Sequence, residues 1–303
     1  FIRQLFVLTA ILLYSFFVKE ISLYVISSLY VSGVLIGVIY FTIRYRRYLI
    51  LAFSGQVYVW MKDIFSFGKY VFGTVAASLL FRTMPPFFVS HYYNPGLLAG
   101  QNIADRITNF LDMPSQVMAD IVFPKNAQLS GENDGDRIKY LYEKAVGASL
   151  AISIFPTIIL ILVSRYILFL FGGLKYLEAT GYLQVVFIAM LLMPFLKQCG
   201  ITLDSTGRPK VNFLINLFIG ALNVVLCIIL IPAFGLIGAA YAILFSLVTS
   251  FVIVSIILKK YYGINVFNSF KYCAGFYKQG WGIAARFIGA GKRTAGDLLK
   301  QDD

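Results

Sequence analysis

The chain has 303 residues, of which 59% are hydrophobic, 17% aromatic and only 13% charged. A soluble chain is about 25% charged, so too little charge is present to coat a globule of this length, and disorder demands the opposite bias. The net charge of +12 does not point to nucleic acid, because Lys and Arg sit in short connectors between apolar runs rather than along a basic groove. Composition therefore predicts an all-α, polytopic membrane helix bundle. Cys199, Cys227 and Cys273 have neither the pairing of a disulfide framework nor the spacing of a zinc site. No metal site and no cofactor is expected.

A helix needs about 20 mostly apolar residues to cross about 30 Å of hydrocarbon. Eight segments meet that need in chain order: Phe1–Val18, Ile21–Ile43, Tyr70–Ser90, Gly96–Phe123, Ala145–Val163, Ala179–Leu203, Val211–Ile231 and Gly235–Leu258. The chain opens at Phe1, already apolar, which reads as a fragment. Pro85, Pro86, Pro114, Pro156 and Pro194 fall inside spans and predict bends. Twenty of the 26 Lys and Arg fall in the connectors of one side, against three, Lys19, Arg165 and Lys175, on the other. The positive-inside rule then places both ends of this chain in the cytoplasm. Beyond the last span, Lys271, Lys278, Arg286, Arg293 and Lys300 recur every seven or eight residues. On a helix they form one basic stripe, with Phe270, Phe276, Trp281, Phe287 and Leu298 away from it, which suits an anionic membrane surface. The glycines of this tail weaken the helix, so a frayed segment competes with that reading.

Ionisable groups inside spans are costly and mark functional sites. The fourth span holds Asp105, Arg106, Asp112, Gln116 and Asp120. At 100° per residue Asp105, Asp112 and Asp120 share one face, close to Gln101, Thr108 and Gln116. The third span offers Arg82 at a matching depth, and a pair with Asp105 or Asp112 is expected because an unpaired buried charge is prohibitive. The sixth span adds Lys197 and Asp204. Two readings compete: internal ion pairs that fix helix register, or a wet cavity in which Arg82, Arg106 and Lys197 meet an anionic headgroup. In the second, Asp105, Asp112 and Asp120 are cavity or coupling carboxylates, Asp112 foremost, with Thr108 and Gln116 as cavity polar groups. His91 reads as an interfacial residue. The acidic run from Gly131 to Asp136 lacks the later ligands of a calcium loop and reads as a solvated connector.

The stretch from Phe67 to Lys260 has a recognisable order. FGKYVFGTVAASLL enters a span after a basic loop, a long polar helix ends in DIVFPKNAQLS, and LDSTGRPKVNFLINLFIGALNVVLCIILIPAFGLIGAAYAILFS follows. Gly207, Arg208, Lys210, Asn216, Asn223, Pro232, Phe234, Gly235, Gly238, Ala239 and Ala240 belong to that pattern. Together they resemble the C-terminal lobe of Wzx-like oligosaccharide flippases of polysaccharide biosynthesis, members of the MOP superfamily with a MATE-like fold. The resemblance implies a C-terminal lobe at 70–260 and a basic cytoplasmic linker at 44–69. It makes 1–43 the last two helices of a truncated N-terminal lobe and 261–303 a basic amphipathic cytoplasmic tail. It also implies a non-enzymatic carrier in a bacterial cytoplasmic membrane, flipping an undecaprenyl-pyrophosphate-linked oligosaccharide for O-antigen or similar surface polysaccharide. The implied partners are that substrate, the bilayer and other polysaccharide assembly proteins, not nucleic acid. Alternating access by rocking lobes is the implied mechanism. The rivals are a MATE-like multidrug antiporter, a lipid II flippase, and an integral membrane polymerase or acyltransferase.

Overall fold

The computed structural model describes residues 2–17, 23–46, 57–93, 96–132 and 134–278. Among the described residues every predicted span falls on helix, the sixth in two pieces, and no strand occurs. The helices are α1 (Ile2–Phe17), α2 (Leu23–Tyr45), α3 (Val57–Tyr92), α4 (Gly96–Gly131), α5 (Gly135–Gly172), α6 (Thr180–Met190), α7 (Met193–Ser205), α8 (Pro209–Phe234) and α9 (Leu236–Tyr262), with a 3-10 turn at Leu174–Ala179 before α6. A further helical stretch, α10, covers 268–278. By length and apolar composition, α2, α3, α5, α8 and α9 can each cross a membrane, and the bent pair α6–α7 makes a sixth crossing when taken as one. At 16 residues α1 is short. The polar residues of α4, not its length of 36 residues, set it apart from the apolar helices.

The chain divides into two compact units, Phe1–Lys62 and Asp63–Asp303, with the boundary inside α3. In the first, α1 packs on α2, and Val7 and Gly33 are its buried residues. In the second, α4 packs on α5 and α7, while α9 packs on α8 and α6. Two apolar cores are stacked along this bundle. One gathers Tyr182, Leu183, Val186 and Phe187 of α6 with Ala239, Ala240 and Ala242 of α9. The other gathers Phe195, Cys199 and Leu203 of α7 with Tyr142, Val146 and Leu150 of α5. The passage from one core to the other coincides with the break between α6 and α7, where the chain bends by 43°. Pro194, in the first turn of α7, lacks an N–H and so favours a helix start there. The helices run unbroken through Pro85, Pro86, Pro114 and Pro156, so the interruption falls at Leu191 and Leu192.

Helices α3, α4 and α5 are longer than the predicted spans, because hydropathy marks the apolar slab whereas helix continues into polar sequence on either side. α3 thus begins at Val57, inside the expected basic linker. The acidic run contains the N-cap of α5: Asp134 accepts a hydrogen bond from the backbone N–H of Arg137 at 3.1 Å and pairs with its guanidinium at 3.2 Å. Between α8 and α9 the chain reverses at Gly235, whose φ of 66° is left-handed and whose N–H closes on the Ile231 carbonyl at 2.8 Å. Gly238 then passes so close to α8 that a Cβ would lie 2.1 Å from the Leu230 carbonyl oxygen. Gly238→Val is expected to destabilise the lobe by about 1–3 kcal/mol through overpacking, measured as an earlier thermal unfolding transition in detergent. The part of the predicted tail from residue 279 onward, with Arg286, Arg293 and Lys300, lies outside the described residues.

Candidate functional site

Four helices of the second unit, α3, α4, α7 and α8, line an open cavity of about 320 Å³, to which Leu247 of α9 adds one residue. Two cations line it, Arg82 from α3 and Lys197 from α7. Its other polar walls are Gln116 from α4, Asp204 from α7, and Asn212 and Asn216 from α8, with Thr74 and Ser78 from α3. Apolar residues such as Phe81, Ile201 and Ile219 fill the rest.

The two cations are held differently. Arg82 donates through Nη2 to Asn109 Oδ1 at 3.3 Å. Asn109 stands between Asp105 and Asp112 on α4, so the hydrogen bond goes to a neutral amide, while Asp105 lies within electrostatic reach of the same guanidinium without a direct ion pair. Lys197 pairs with Asp112 Oδ2 instead, the two side chains being 21% and 23% exposed. Asp112 Oδ1 is buried with no hydrogen-bond partner among the described residues. The ion pairs among the described residues are this one and Arg137–Asp134. The Lys197–Asp112 pair belongs to a polar seam between α4 and α7. Beside it Gln198 donates to the Ser115 carbonyl at 3.2 Å, and Asn126 donates to Thr202 at 3.3 Å.

The three carboxylates of α4 part company. Asp120 is exposed and accepts from Gln116 Nε2 at 3.1 Å, so it stands behind a cavity residue without lining the cavity itself. Asp105 is half-buried and Arg106 exposed, and neither lines the cavity. Thr108 is buried and spends its hydroxyl on the Asp105 carbonyl at 3.0 Å. The reason is angular: the cavity touches α4 only around Gln116 and Ala119, a narrower arc than the face drawn from 100° steps.

A second polar group at this site joins Asp204 and Asn216, both noted in the sequence, through Asn212, which was not. Asn212 donates to Asp204 Oδ2 at 2.8 Å, Asn216 donates to Asn212 Oδ1 at 2.9 Å, and Ser78 lies 3.5 Å from Asn216 Oδ1. The signal available was the spacing of Asn212 and Asn216, four apart on a largely apolar helix, which puts both amides on one face. Among the described residues no group of three or more His, Cys, Asp or Glu is placed to hold a metal ion.

A bundle of membrane-length helices with a polar, charged cavity between them is the architecture of a membrane carrier. Residues 71–229 match the MatE family, and the chain belongs to it. It is a multi-pass integral membrane protein of a transporter family rather than an enzyme. An outward-facing multidrug resistance MATE family transporter of the MOP superfamily superposes with a TM-score of 0.53 at 20% identity, covering 68% of this chain and 47% of that one. A point mutant of a MATE protein gives a TM-score of 0.53 at 21% identity, covering 67% of this chain and 47% of that one. These likenesses establish the fold. An uncharacterized membrane protein of Methanocaldococcus jannaschii is 27% identical over 61% of this chain and 37% of its own length. The probable low-salt glycan biosynthesis flippase Agl15 of Haloferax volcanii is 22% identical over 76% of this chain and 47% of its own length. The match thus spans less than half of either relative. Both relatives are archaeal, so the bacterial O-antigen setting expected from the sequence finds no support in them.

Proposed function

We propose that this lobe belongs to a flippase that carries an oligosaccharide on a lipid phosphate carrier across the membrane by alternating access. The observation that carries the reading is the state of Arg82. It lines the cavity, its hydrogen bond goes to a neutral amide and Asp105 acts on it without a direct ion pair, so its guanidinium can take a phosphate. Lys197 is the second cation of the cavity wall, and Gln116, Asn212 and Asn216 supply amides suited to sugar hydroxyls. The lipid tail stays in the bilayer while the polar head occupies the wet passage. Arg106 and Asp105 act only when the passage widens beyond this cavity as lobes rock against each other. Asp112 is the coupling group in this scheme, because an anion that draws Lys197 away leaves its carboxylate free to take a proton or cation. Both ends of the chain lie on the cytoplasmic side, where the basic connectors gather. The Haloferax relative, named for glycan biosynthesis, is consistent with this reading.

A second reading has its own support. Asp204 also lines the cavity, and its Oδ1 is buried without a hydrogen-bond partner among the described residues. A cationic drug would suit that carboxylate, as in a multidrug antiporter. The test is transport by the purified protein in proteoliposomes, with a fluorescent lipid-linked oligosaccharide and with a lipophilic cation such as ethidium. Translocation of the first without export of the second is expected; the reverse result removes the flippase assignment. In the same vesicles Asp112→Asn is expected to abolish any dependence of the rate on a proton or sodium gradient. A gradient dependence equal to that of the unmodified protein excludes Asp112 as the coupling group.

A further inference from the structure

The segment that follows α9 does not trail away from the lobe. Ile264, Val266, Ser269 and Cys273 are buried, and Ile264, Val266 and Cys273 join the core around α7. α10 lies against the first part of α5: Asn268 donates to the buried Glu143 at 3.1 Å, the rings of Tyr272 and Tyr140 are 5.8 Å apart, and Tyr277 donates to the Ala151 carbonyl at 2.6 Å. The seat is tight, because a Cβ on Gly147 would come within 2.6 Å of Tyr272 Cβ.

That seat fixes a depth. In α5 the 20 residues between Lys144 and Arg165 carry no charge, which at 1.5 Å per residue spans about 30 Å, the thickness of the hydrocarbon slab. α10 touches α5 on both sides of Lys144, from Tyr140 to Ala151, so it lies where the slab meets the headgroups. The outward side of α10 and of the turn before it bears Phe267 and Phe270, whose rings lie against Phe251 and Phe195 yet stay 62% and 49% exposed, together with exposed Lys271 and Lys278. The two lysines are seven residues apart and share one side of the helix. Exposed Lys144, Lys259 and Lys260 flank the same region of the sequence and fold. No Asp or Glu occurs between Asp204 and Asp297, and Glu143, the nearest acid on α5, is buried against Asn268. A second copy of this face would meet it with like charge. Aromatic rings beside lysines at slab depth match the chemistry of a lipid headgroup layer.

We propose that the outward face of α10 is a binding surface for anionic phospholipid, with Lys271 and Lys278 on the phosphates and Phe267 and Phe270 in the uppermost acyl region. The inference stands apart from the cavity and from what the protein carries. It is tested on the full chain in detergent, titrated with dioleoyl phosphatidylglycerol or dioleoyl phosphatidylcholine, with bound lipid counted by native mass spectrometry. Phosphatidylglycerol is expected to bind preferentially. The preference should fall roughly fivefold for each lysine replaced in Lys271→Gln and Lys278→Gln and persist in the Lys271→Arg, Lys278→Arg variant. It should also weaken with rising salt in the unmodified protein, a readout that needs no substitution. Equal binding of the two lipids, a salt-independent preference, or an unchanged preference in the double glutamine variant overturns the proposal. So does a dimer that dissociates when both lysines become glutamine, which would seat a second copy on this face.

Discussion

Lys197→Met is expected to unfold the lobe more readily than any other single change at the cavity. The substitution leaves Asp112 between α4 and α7 with its Oδ2 stripped of its ammonium partner and its Oδ1 already unpartnered. Breaking a buried pair from one side costs about 3–5 kcal/mol. The lower end applies here because each partner retains about a fifth of its exposure. The expected readout is a fall in the thermal midpoint in detergent together with loss of transport. The double change Lys197→Met, Asp112→Leu separates the two effects. Replacing both charges by apolar groups is near neutral for stability, so the fold should recover while transport does not. Recovery of transport in the double variant would show that the pair fixes helix register and carries no substrate.

Arg82→Ala is expected to do the opposite, sparing the fold and removing function. Its guanidinium is exposed to the cavity and held through one 3.3 Å bond to an amide. Its loss breaks no direct ion pair and leaves only half-buried Asp105 without a neighbouring cation. A hydrogen bond to a charged group is worth about 1.5–3 kcal/mol, so affinity for a phosphate-bearing substrate should fall by about ten- to a hundredfold. Transport measured against substrate concentration in proteoliposomes gives this shift directly, with protein abundance and thermal midpoint as controls. Arg82→Lys should recover part of the loss, since a point charge remains without the planar fork. Unaltered transport by Arg82→Ala takes Arg82 out of the mechanism.

The helical architecture was legible because hydropathy and connector charge act on whole segments. The described part of each of the eight apolar stretches lies on helix, with the sixth broken at Leu191 and Leu192. Helix ends were legible only where a turn residue marks them, as at Gly235 with its left-handed backbone. α3 and α4 overran their predicted limits because nothing in an exposed, helix-competent sequence stops a helix at the slab edge. Within the site, the depth of Arg82 was readable by counting residues, whereas its partner was not. Choosing between Asp105, Asn109 and Asp112 depends on how α3 rotates against α4, which a single helix's periodicity does not contain. Lys197 took Asp112 for the same reason, through a third helix whose angle is set by the bend before it. Asp204 and Asn216 were each noted, but their link through Asn212 was not, because neutral amides give a weak signal against the charges around them.

The bend at Leu191 and Leu192 turns one crossing into two levers on a common pivot. The upper lever is embedded with α9 around Phe187, and the lower one with α5 around Phe195. On the flippase reading proposed above, a cargo held at Lys197 and Asp204 would pull on the lower lever and the core around Phe195, and not directly on Tyr182 and Leu183 in the other core.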